Sequence, residues 1–182
     1  HHLWFTRDDY EPLGSYIKWN PTIKTAEDRQ ALRQGILDDR IDIVATDHAP
    51  HTRTEKQQSY FKTPSGGPLI QHSLVAMLEL AASEVLSVEK VVEKMCHAPA
   101  IRFQIDQRGF IREGYWADLV LVDPGNPWTV QAENILYKCG WSPFESVTFQ
   151  CRVHSTFVNG RRVFHLGTFD DGLKGQALRF NR

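Results

Sequence analysis

The stretch Ile41-Asp42-Ile43-Val44-Ala45-Thr46-Asp47-His48-Ala49-Pro50-His51 is the most informative part of this chain. Its first half is a short apolar run, which is typical of a buried parallel strand. Its second half brings one carboxylate and two imidazoles to the end of that strand. In α/β barrels and open α/β sheets, ligands bind and chemistry occurs at the carboxyl ends of strands. The stretch therefore predicts an α/β fold with a catalytic site near Asp47.

Asp47 could instead cap a loop, and the two histidines beside it could be ordinary surface residues. A single Asp or His would favour that interpretation, but the combination Asp-His-x-x-His at a strand end favours chemistry. The remaining internal histidines fall in helical or strand patterns, and for them the pattern favours a structural role. These histidines are His72, His97, His154 and His165.

Further motifs extend over nearly the whole chain. They are Asn20-Pro21, Thr46-Asp47-His48-Ala49-Pro50-His51-Thr52, Pro64-Ser65-Gly66-Gly67-Pro68, His97-Ala98-Pro99-Ala100, Gly114-Tyr115-Trp116-Ala117-Asp118-Leu119-Val120 and Lys138-Cys139-Gly140-Trp141-Ser142-Pro143-Phe144. In this order they resemble the dihydroorotase group of the amidohydrolase superfamily, within its cyclic amidase branch. The Asp-His-Ala-Pro-His and Cys-Gly-Trp-Ser-Pro-Phe segments are the most specific of them.

The resemblance implies an α/β fold, the C-terminal part of a (β/α)8 metal-dependent hydrolase barrel with strands of a small β-sandwich subdomain. We expect the barrel part at 1–105 and the sandwich strands and tail at 106–182. A complete barrel needs about 250 residues, so 182 residues are too few for the whole enzyme. The absent N-terminal part would hold most metal ligands: a His-x-His pair, a carboxylated Lys and two more His. His1 and His2 resemble a loop outside the metal shell.

The same resemblance assigns roles to residues of the site. Asp47 would ligate the metal, accept a proton from water as general base and return it to the ring nitrogen as general acid. His48 would orient Asp47. The implied cofactor is Zn²⁺, as one or two ions, because zinc lowers the pKa of its bound water to about 7 and polarises a carbonyl.

Four residues are candidates for substrate binding. His51 would contact the substrate, and the Asn20 amide would hydrogen-bond the pyrimidine ring. Gly66 and Gly67 would let the backbone approach the ring closely. Structural alternatives remain: a solvated loop His, a turn-starting Asn before proline, and a plain turn at the two glycines.

The predicted function is that of a dihydroorotase, the reversible hydrolysis of L-dihydroorotate to N-carbamoyl-L-aspartate in pyrimidine biosynthesis. A hydantoinase or allantoinase is the nearest alternative. A catalytically inactive amidohydrolase-like scaffold is an alternative of a different kind. With Asp47 as the single recognisable metal ligand, we expect the 182-residue chain alone to be inactive.

Composition limits the partners and the compartment. The chain has 21 basic and 22 acidic residues, a balance that gives no footprint for nucleic acid or an anionic membrane. We therefore expect no such partner, whereas the resemblance implies a small-molecule substrate and a homo-oligomer of the full-length protein. The odd number of widely spaced cysteines, Cys96, Cys139 and Cys151, indicates buried thiols in a reducing compartment, the cytoplasm.

Local patterns predict the main elements. Thr25 and Asp28 form a helix-starting cap, and Pro99 ends a later helical region. A long functional loop is expected from His48 to Pro68. Strands are expected at 116–122, 147–158 and 162–166, with a type I′ hairpin at Asn159-Gly160, and a surface tail at 167–182.

Overall fold

The computed structural model of this chain describes residues 1–172 and 174–181. Helices α1 to α6 cover Tyr10–Leu13, Ala26–Leu37, Arg53–Lys56, Ser73–Ala82, Val88–Val92 and Ala98–Arg102. Short 3-10 turns cover Arg7–Asp9, Gly14–Ile17 and Ala132–Asn134, and a π-helical turn covers Glu93–His97. Strands β1 to β6 cover Leu119–Asp123, Trp128–Thr129, Thr148–Phe149, Arg152–Val158, Arg161–His165 and Thr168–Phe169. The fold is thus mixed α/β, as predicted.

Helix α2 begins where the sequence predicts it. The Thr25 hydroxyl accepts a hydrogen bond from the Asp28 amide, and the Asp28 carboxylate accepts one from the Thr25 amide at 3.1 Å. This reciprocal cap satisfies backbone donors that the first helical turn leaves free. The helix ends before Asp39, which has a left-handed φ of 59°. The chain then turns into the 41–47 run.

The 41–46 run is not a paired strand, so this prediction is wrong for the described residues. Among the described residues, its backbone bonds to other segments are isolated ones, such as the Val44 amide donating to the Lys94 carbonyl at 3.1 Å. A barrel strand is defined by neighbours on both edges. The described residues supply no such neighbours, apart from a single parallel bridge between His48 and Gly67.

The helical region near Pro99 continues further than predicted. Helix α5 passes through the π turn into helix α6, and Pro99 lies in the first turn of α6. Proline is tolerated there because its missing N–H would have no partner in a first turn. Pro99 therefore starts a helical turn, and the prediction that it ends the region is wrong.

The later part of the chain forms two small sheets. Four antiparallel strands have the order β1-β4-β5-β6, and β2 pairs with β3 separately. The predicted single strand at 147–158 is split because its first residues pair with β2 and its last with β1 and β5. The hairpin at Asn159-Gly160 is confirmed, with φ values of 51° and 79°. Both residues have the positive φ that a type I′ turn requires.

Part of the predicted surface tail beyond residue 167 pairs with other segments. Strand β6 adds to the sheet at the Phe164–Phe169 pair. Near the end, Ile105 and Phe180 form an antiparallel bridge, and the Asp106 amide donates to the Arg179 carbonyl. Residues 173 and 182 of the predicted tail lie outside the described residues.

One hydrophobic core joins the helical part to the two-stranded sheet. Ile17, Trp19 and Val75 pack in the same cluster as Val130 and Phe149. The division at 105/106 therefore stays a prediction. A second cluster lies between α2, α4 and α5, where Met77 is buried as a core residue. Within the described residues, no helix is long and apolar enough to cross a membrane.

Phe149 tests how much the shared core contributes to stability. Its side chain is fully buried and packs against the rings of Trp4, Trp128 and Phe144. In the complete polypeptide that carries this sequence, Phe149→Ala should lower the free energy of unfolding by about 3–5 kcal/mol. Urea unfolding measures it. Phe61, which is 95% exposed, is the matched control, and Phe61→Ala should cost less than about 0.5 kcal/mol. Equal effects of the two substitutions would contradict this core.

Candidate active site

Asp47 lies exposed at the end of the apolar run, in a left-handed conformation with φ of 49°. Such a φ is uncommon for residues other than glycine and is best tolerated by Asn and Asp. In the described part of the chain its carboxylate accepts no hydrogen bond. Burial lowers the pKa of the His2 imidazole, and the negative charge of Asp47 acts on that pKa in the opposite direction. Asp47 is thus a free carboxylate that can take a ligand.

His48 is fixed to the loop that follows the two glycines. Its Nδ1 accepts hydrogen bonds from the backbone amides of Leu69 at 3.0 Å and Ile70 at 3.3 Å. An acceptor Nδ1 places the ring proton on Nε2. Within the described residues the ring makes no hydrogen bond to Asp47. Any effect of His48 on Asp47 passes through the backbone that the two residues share.

His51 is tied to the same loop from the other side. Its Nε2 lies 3.0 Å from the Ser65 carbonyl oxygen, which can only accept, so Nε2 carries a proton. Its Nδ1 lies 4.0 Å from the Glu55 carboxylate. The Trp141 indole donates to the His51 carbonyl at 2.7 Å. His51 is therefore a half-buried, positioned residue rather than a freely solvated one.

Both glycines occupy positions where a side chain would collide. Gly66 has φ of 118°, and a Cβ there would lie 2.7 Å from the Ala49 carbonyl oxygen. A Cβ on Gly67 would lie 2.8 Å from the Trp19 ring. The Ala49 amide donates to the Gly67 carbonyl at 3.2 Å, which holds the two segments together. Both glycines are buried, and their lack of a side chain is what permits this close packing.

Asn20 is exposed and follows directly after the buried Trp19. Trp19 stacks on the His1 ring at a centroid distance of 4.6 Å and lies against Gly67. Asn20 therefore lies at the edge of the Pro64–Pro68 segment, which we call the glycine loop. Its side chain makes no hydrogen bond within the described residues, and the structure records no contact between Asn20 and Asp47 or His51.

Two lysines that sequence analysis missed hold the long loop. The Lys56 ammonium is fully buried and donates to the carbonyls of Gly66 at 2.8 Å and Pro64 at 3.0 Å. The Lys18 ammonium donates to the carbonyls of Tyr60 and Thr63, at 2.6 Å each. Lysines in a polar loop are normally solvated. Their local sequence gives no signal of burial.

A buried network connects the glycine loop to the Lys138–Phe144 motif. His72 is fully buried, and its Nδ1 lies 3.2 Å from the hydroxyl oxygens of Tyr137 and Ser142, either of which can donate a hydrogen bond to it. The Gln71 amide donates to the Tyr137 hydroxyl at 2.9 Å. Burial raises the pKa of Tyr137 and lowers that of His72 to about 4. His72 is therefore a neutral acceptor in the core, in agreement with its predicted structural role.

A cavity of about 270 Å³ lies beside the apolar run and under the candidate site. It is lined mainly by apolar side chains from α2, α4 and the run itself, together with the polar residues His1, His2, Thr46 and Ser73. No group of three or more His, Cys, Asp or Glu residues among those described could hold a metal ion. The described residues thus do not form a complete metal site by themselves.

The cysteines differ from the expectation of buried thiols. All three are free, but only Cys151 is buried, whereas Cys139 is half-buried and Cys96 is exposed. Cys96 lies in the π turn and is exposed there. The prediction of burial is therefore wrong for Cys96 and Cys139.

Solved structures with a similar fold are barrel hydrolases. An L-hydantoinase from Arthrobacter aurescens superposes with a TM-score of 0.84 and 30% identity, over 92% of this chain and 38% of that structure. A D-hydantoinase superposes with a TM-score of 0.83 at 19% identity, which supports the fold alone. The fold and the site therefore define part of an α/β-barrel hydrolase.

The family assignment rests on the sequence as a whole. The model of the amidohydrolase family matches residues 3–163, and the chain belongs to that family. Members of this family are generally metal-dependent. The dihydroorotase of Halobacterium salinarum is 41% identical over 145 residues, which are 80% of this chain and 34% of that protein. The dihydroorotase of Clostridioides difficile is 36% identical, over 91% of this chain and 39% of its own length. The chain thus spans well under half of these relatives.

The buried His72 predicts a pH dependence of stability. Its pKa is about 4 in the fold against 6.5 ordinarily, so below pH 6.5 the unfolded chain takes up a proton that the folded chain does not. The stabilisation is complete above pH 6.5 and is lost as the pH falls toward 4. For the complete polypeptide, it should amount to about 2–3 kcal/mol between pH 7 and 4.5. His72→Gln keeps an acceptor but cannot titrate, so urea unfolding should show a smaller loss. An undiminished loss in the variant would contradict this role.

Proposed function

We propose that this chain forms the C-terminal part of a dihydroorotase, which reversibly hydrolyses L-dihydroorotate to N-carbamoyl-L-aspartate in de novo pyrimidine biosynthesis. The observation that carries the proposal is the unpartnered Asp47 carboxylate beside the 49–67 loop, which His51 and two close-packed glycines hold in place. The 41% identity to a curated dihydroorotase supports this substrate over others. The substrate is a small molecule, and we expect neither nucleic acid nor membrane as a partner.

In this proposal Asp47 moves the proton. One oxygen of its carboxylate takes a proton from the attacking water, and the same group returns it to the ring nitrogen as the amide bond breaks. Asp47 would also be one of the residues that hold Zn²⁺, as one or two ions bound mostly by residues outside this chain. Bound zinc supplies a water of lowered pKa and a polarised carbonyl. The exposed Asp47 carboxylate, which accepts no hydrogen bond within the described residues, supports this assignment.

The remaining residues would position the substrate. The Asn20 amide would offer a donor and an acceptor to the imide edge of the substrate ring. The backbone of Gly66 and Gly67 would approach the same ring. His51 would contact the substrate from the opposite side of the loop. His48 would orient Asp47 by fixing the loop backbone at Leu69 and Ile70.

The arrangement of the whole protein is also a proposal. We assign 1–105 to the catalytic barrel and 106–182 to the β-sandwich subdomain, in a homo-oligomer of the full-length protein. The free cysteines support a reducing compartment, the cytoplasm. The 182-residue chain alone should be inactive with added Zn²⁺, because one carboxylate cannot hold the ion tightly.

Asp47→Asn tests the central role. In the complete polypeptide the amide keeps the shape but loses the charge and the proton-accepting oxygen. Turnover of L-dihydroorotate should fall by at least about 10²-fold with the fold intact. Asp42→Asn is the matched control, because Asp42 is an exposed carboxylate in the same run, and its turnover should be unchanged. A folded, metal-loaded Asp47→Asn protein with a loss below about tenfold would contradict the proposal.

His51→Ala tests substrate choice against the hydantoinase alternative. A site that hydrogen-bonds polar groups discriminates strongly, because its own donors are left unpaired by the wrong ligand. The variant should therefore lose more kcat/KM for L-dihydroorotate than for hydantoin or dihydrouracil, which lack the carboxylate. An equal fall for all three substrates would mean that His51 supports the loop and does not recognise the substrate. Wild-type preference for hydantoin would favour the hydantoinase alternative, for which the 30% identical L-hydantoinase is the precedent.

A further inference from the structure

Lys56 is a buried cation at the end of helix α3, with no carboxylate partner among the described residues. Its ammonium has three N–H groups and meets three backbone carbonyls: Gly66 at 2.8 Å, Pro64 at 3.0 Å and Lys18 at 3.4 Å. The Trp141 ring faces the same ammonium at 5.9 Å from its centroid. Burying an ion is costly unless its hydrogen bonds are satisfied, and here three carbonyl dipoles satisfy them.

These carbonyls belong to two segments that meet at the candidate site. Gly66 and Pro64 lie in the glycine loop, and Lys18 lies two residues before Asn20. The Gly66 amide also donates to the Lys18 carbonyl at 2.9 Å. The helix that carries Lys56 is itself fixed, because the Ser15 hydroxyl donates to the Lys56 carbonyl. The Lys56 ammonium therefore links two backbone segments, the one that contains Gly66 and the one that leads to Asn20.

A neutral amine could not make the same set of bonds. It has two N–H donors and one lone pair, so one carbonyl would lose its donor and face the lone pair. The three bonds thus require the charged ammonium of Lys56. Because a buried charge can often be replaced by apolar residues without loss of stability, stability alone does not explain this ammonium.

We propose that Lys56 is a positioning residue, whose ammonium sets the Gly66-Gly67 backbone against the Trp19-Asn20 segment and so controls substrate affinity without touching the substrate. This inference rests on the proposed function of the same site. It assigns a role to a residue outside the motifs that carry the resemblance, since Lys56 follows the Asp-His-Ala-Pro-His segment by five residues.

The charge of Lys56 is sensitive to pH in an accessible range. Burial, and to a smaller extent the positive charge of Lys18, together lower its pKa from 10.5 to about 8. On its own helix, Arg53 and Glu55 are exposed, and Arg53 pairs with Glu145. Above pH 8 the folded protein would lose this ammonium, and the glycine loop would lose a bond.

The test compares three variants of the complete polypeptide with the wild type, with kcat and KM for L-dihydroorotate measured from pH 6.5 to 9.5. Lys56→Met should raise KM at pH 7 at least tenfold, with kcat within threefold. Wild-type KM should rise as the pH passes 8, whereas KM of Lys56→Met should stay flat there. Lys56→Arg keeps its charge throughout this range. Its KM should be raised at pH 7 but should not rise further near pH 8. Lys62→Met, an exposed lysine of the same loop, should behave as wild type.

A merely structural role would lower the melting temperature of Lys56→Met and leave the pH dependence of KM the same in all variants, which would overturn the proposal. If Lys56→Met does not fold, the contrast between the KM values of wild type and Lys56→Arg near pH 8 tests the proposal.

Hydrogen exchange of the amides at 59–67 separates this inference from the proposed function, because it needs no substrate. If the wild type does not hydrolyse L-dihydroorotate, the proposed function fails. Faster exchange at 59–67 in Lys56→Met, corrected for the intrinsic rate, then supports the role of Lys56, and unchanged exchange overturns it.

Discussion

The contact between Gly67 and the Trp19 ring is the constraint on which the candidate site depends. Trp19 is buried in the main core and stacks with His1 and Phe5, so its position is set by core residues that do not belong to the loop. Gly67 can approach that ring only because it has no Cβ. From this contact the loop backbone reaches back to Ala49 and His48, next to Asp47. The core thereby determines where the loop lies relative to the Asp47 carboxylate.

Buried polar groups then fix the loop from two sides. The Lys56 ammonium holds the carbonyls before Gly67, and the His48 ring holds the amides after it. Behind them His72 joins the loop to Tyr137 and Ser142 as a neutral acceptor. Such groups contribute little net stability when satisfied and cost much when left unpaired. Their arrangement at one loop is therefore more informative about the site than about the stability of the fold.

Family membership and side-chain geometry determine different properties of this protein. The amidohydrolase match and the barrel superpositions define the fold and the general chemistry, whereas the substrate depends on a few side chains. Here those side chains stand on loops held by the rigid core, where binding and catalytic residues are commonly found. Asp47, whose carboxylate accepts no hydrogen bond from the described residues, stands beside this tightly held loop.

Local sequence by itself determined the features that near neighbours encode. The cap of α2 needs only Thr25 and Asp28, the hairpin needs only Asn159 and Gly160, and the run ending at Asp47 marks the candidate site. Tertiary structure decided the rest. Whether 41–46 is paired depends on neighbouring strands, and the split of the 147–158 strand depends on its partners. Lys56 is buried, although its residue type predicts exposure, because carbonyls from two other segments surround it. The bond from Trp141 to His51 spans 90 residues. Contacts over such distances depend on the packing of the whole chain, and no local pattern specifies them.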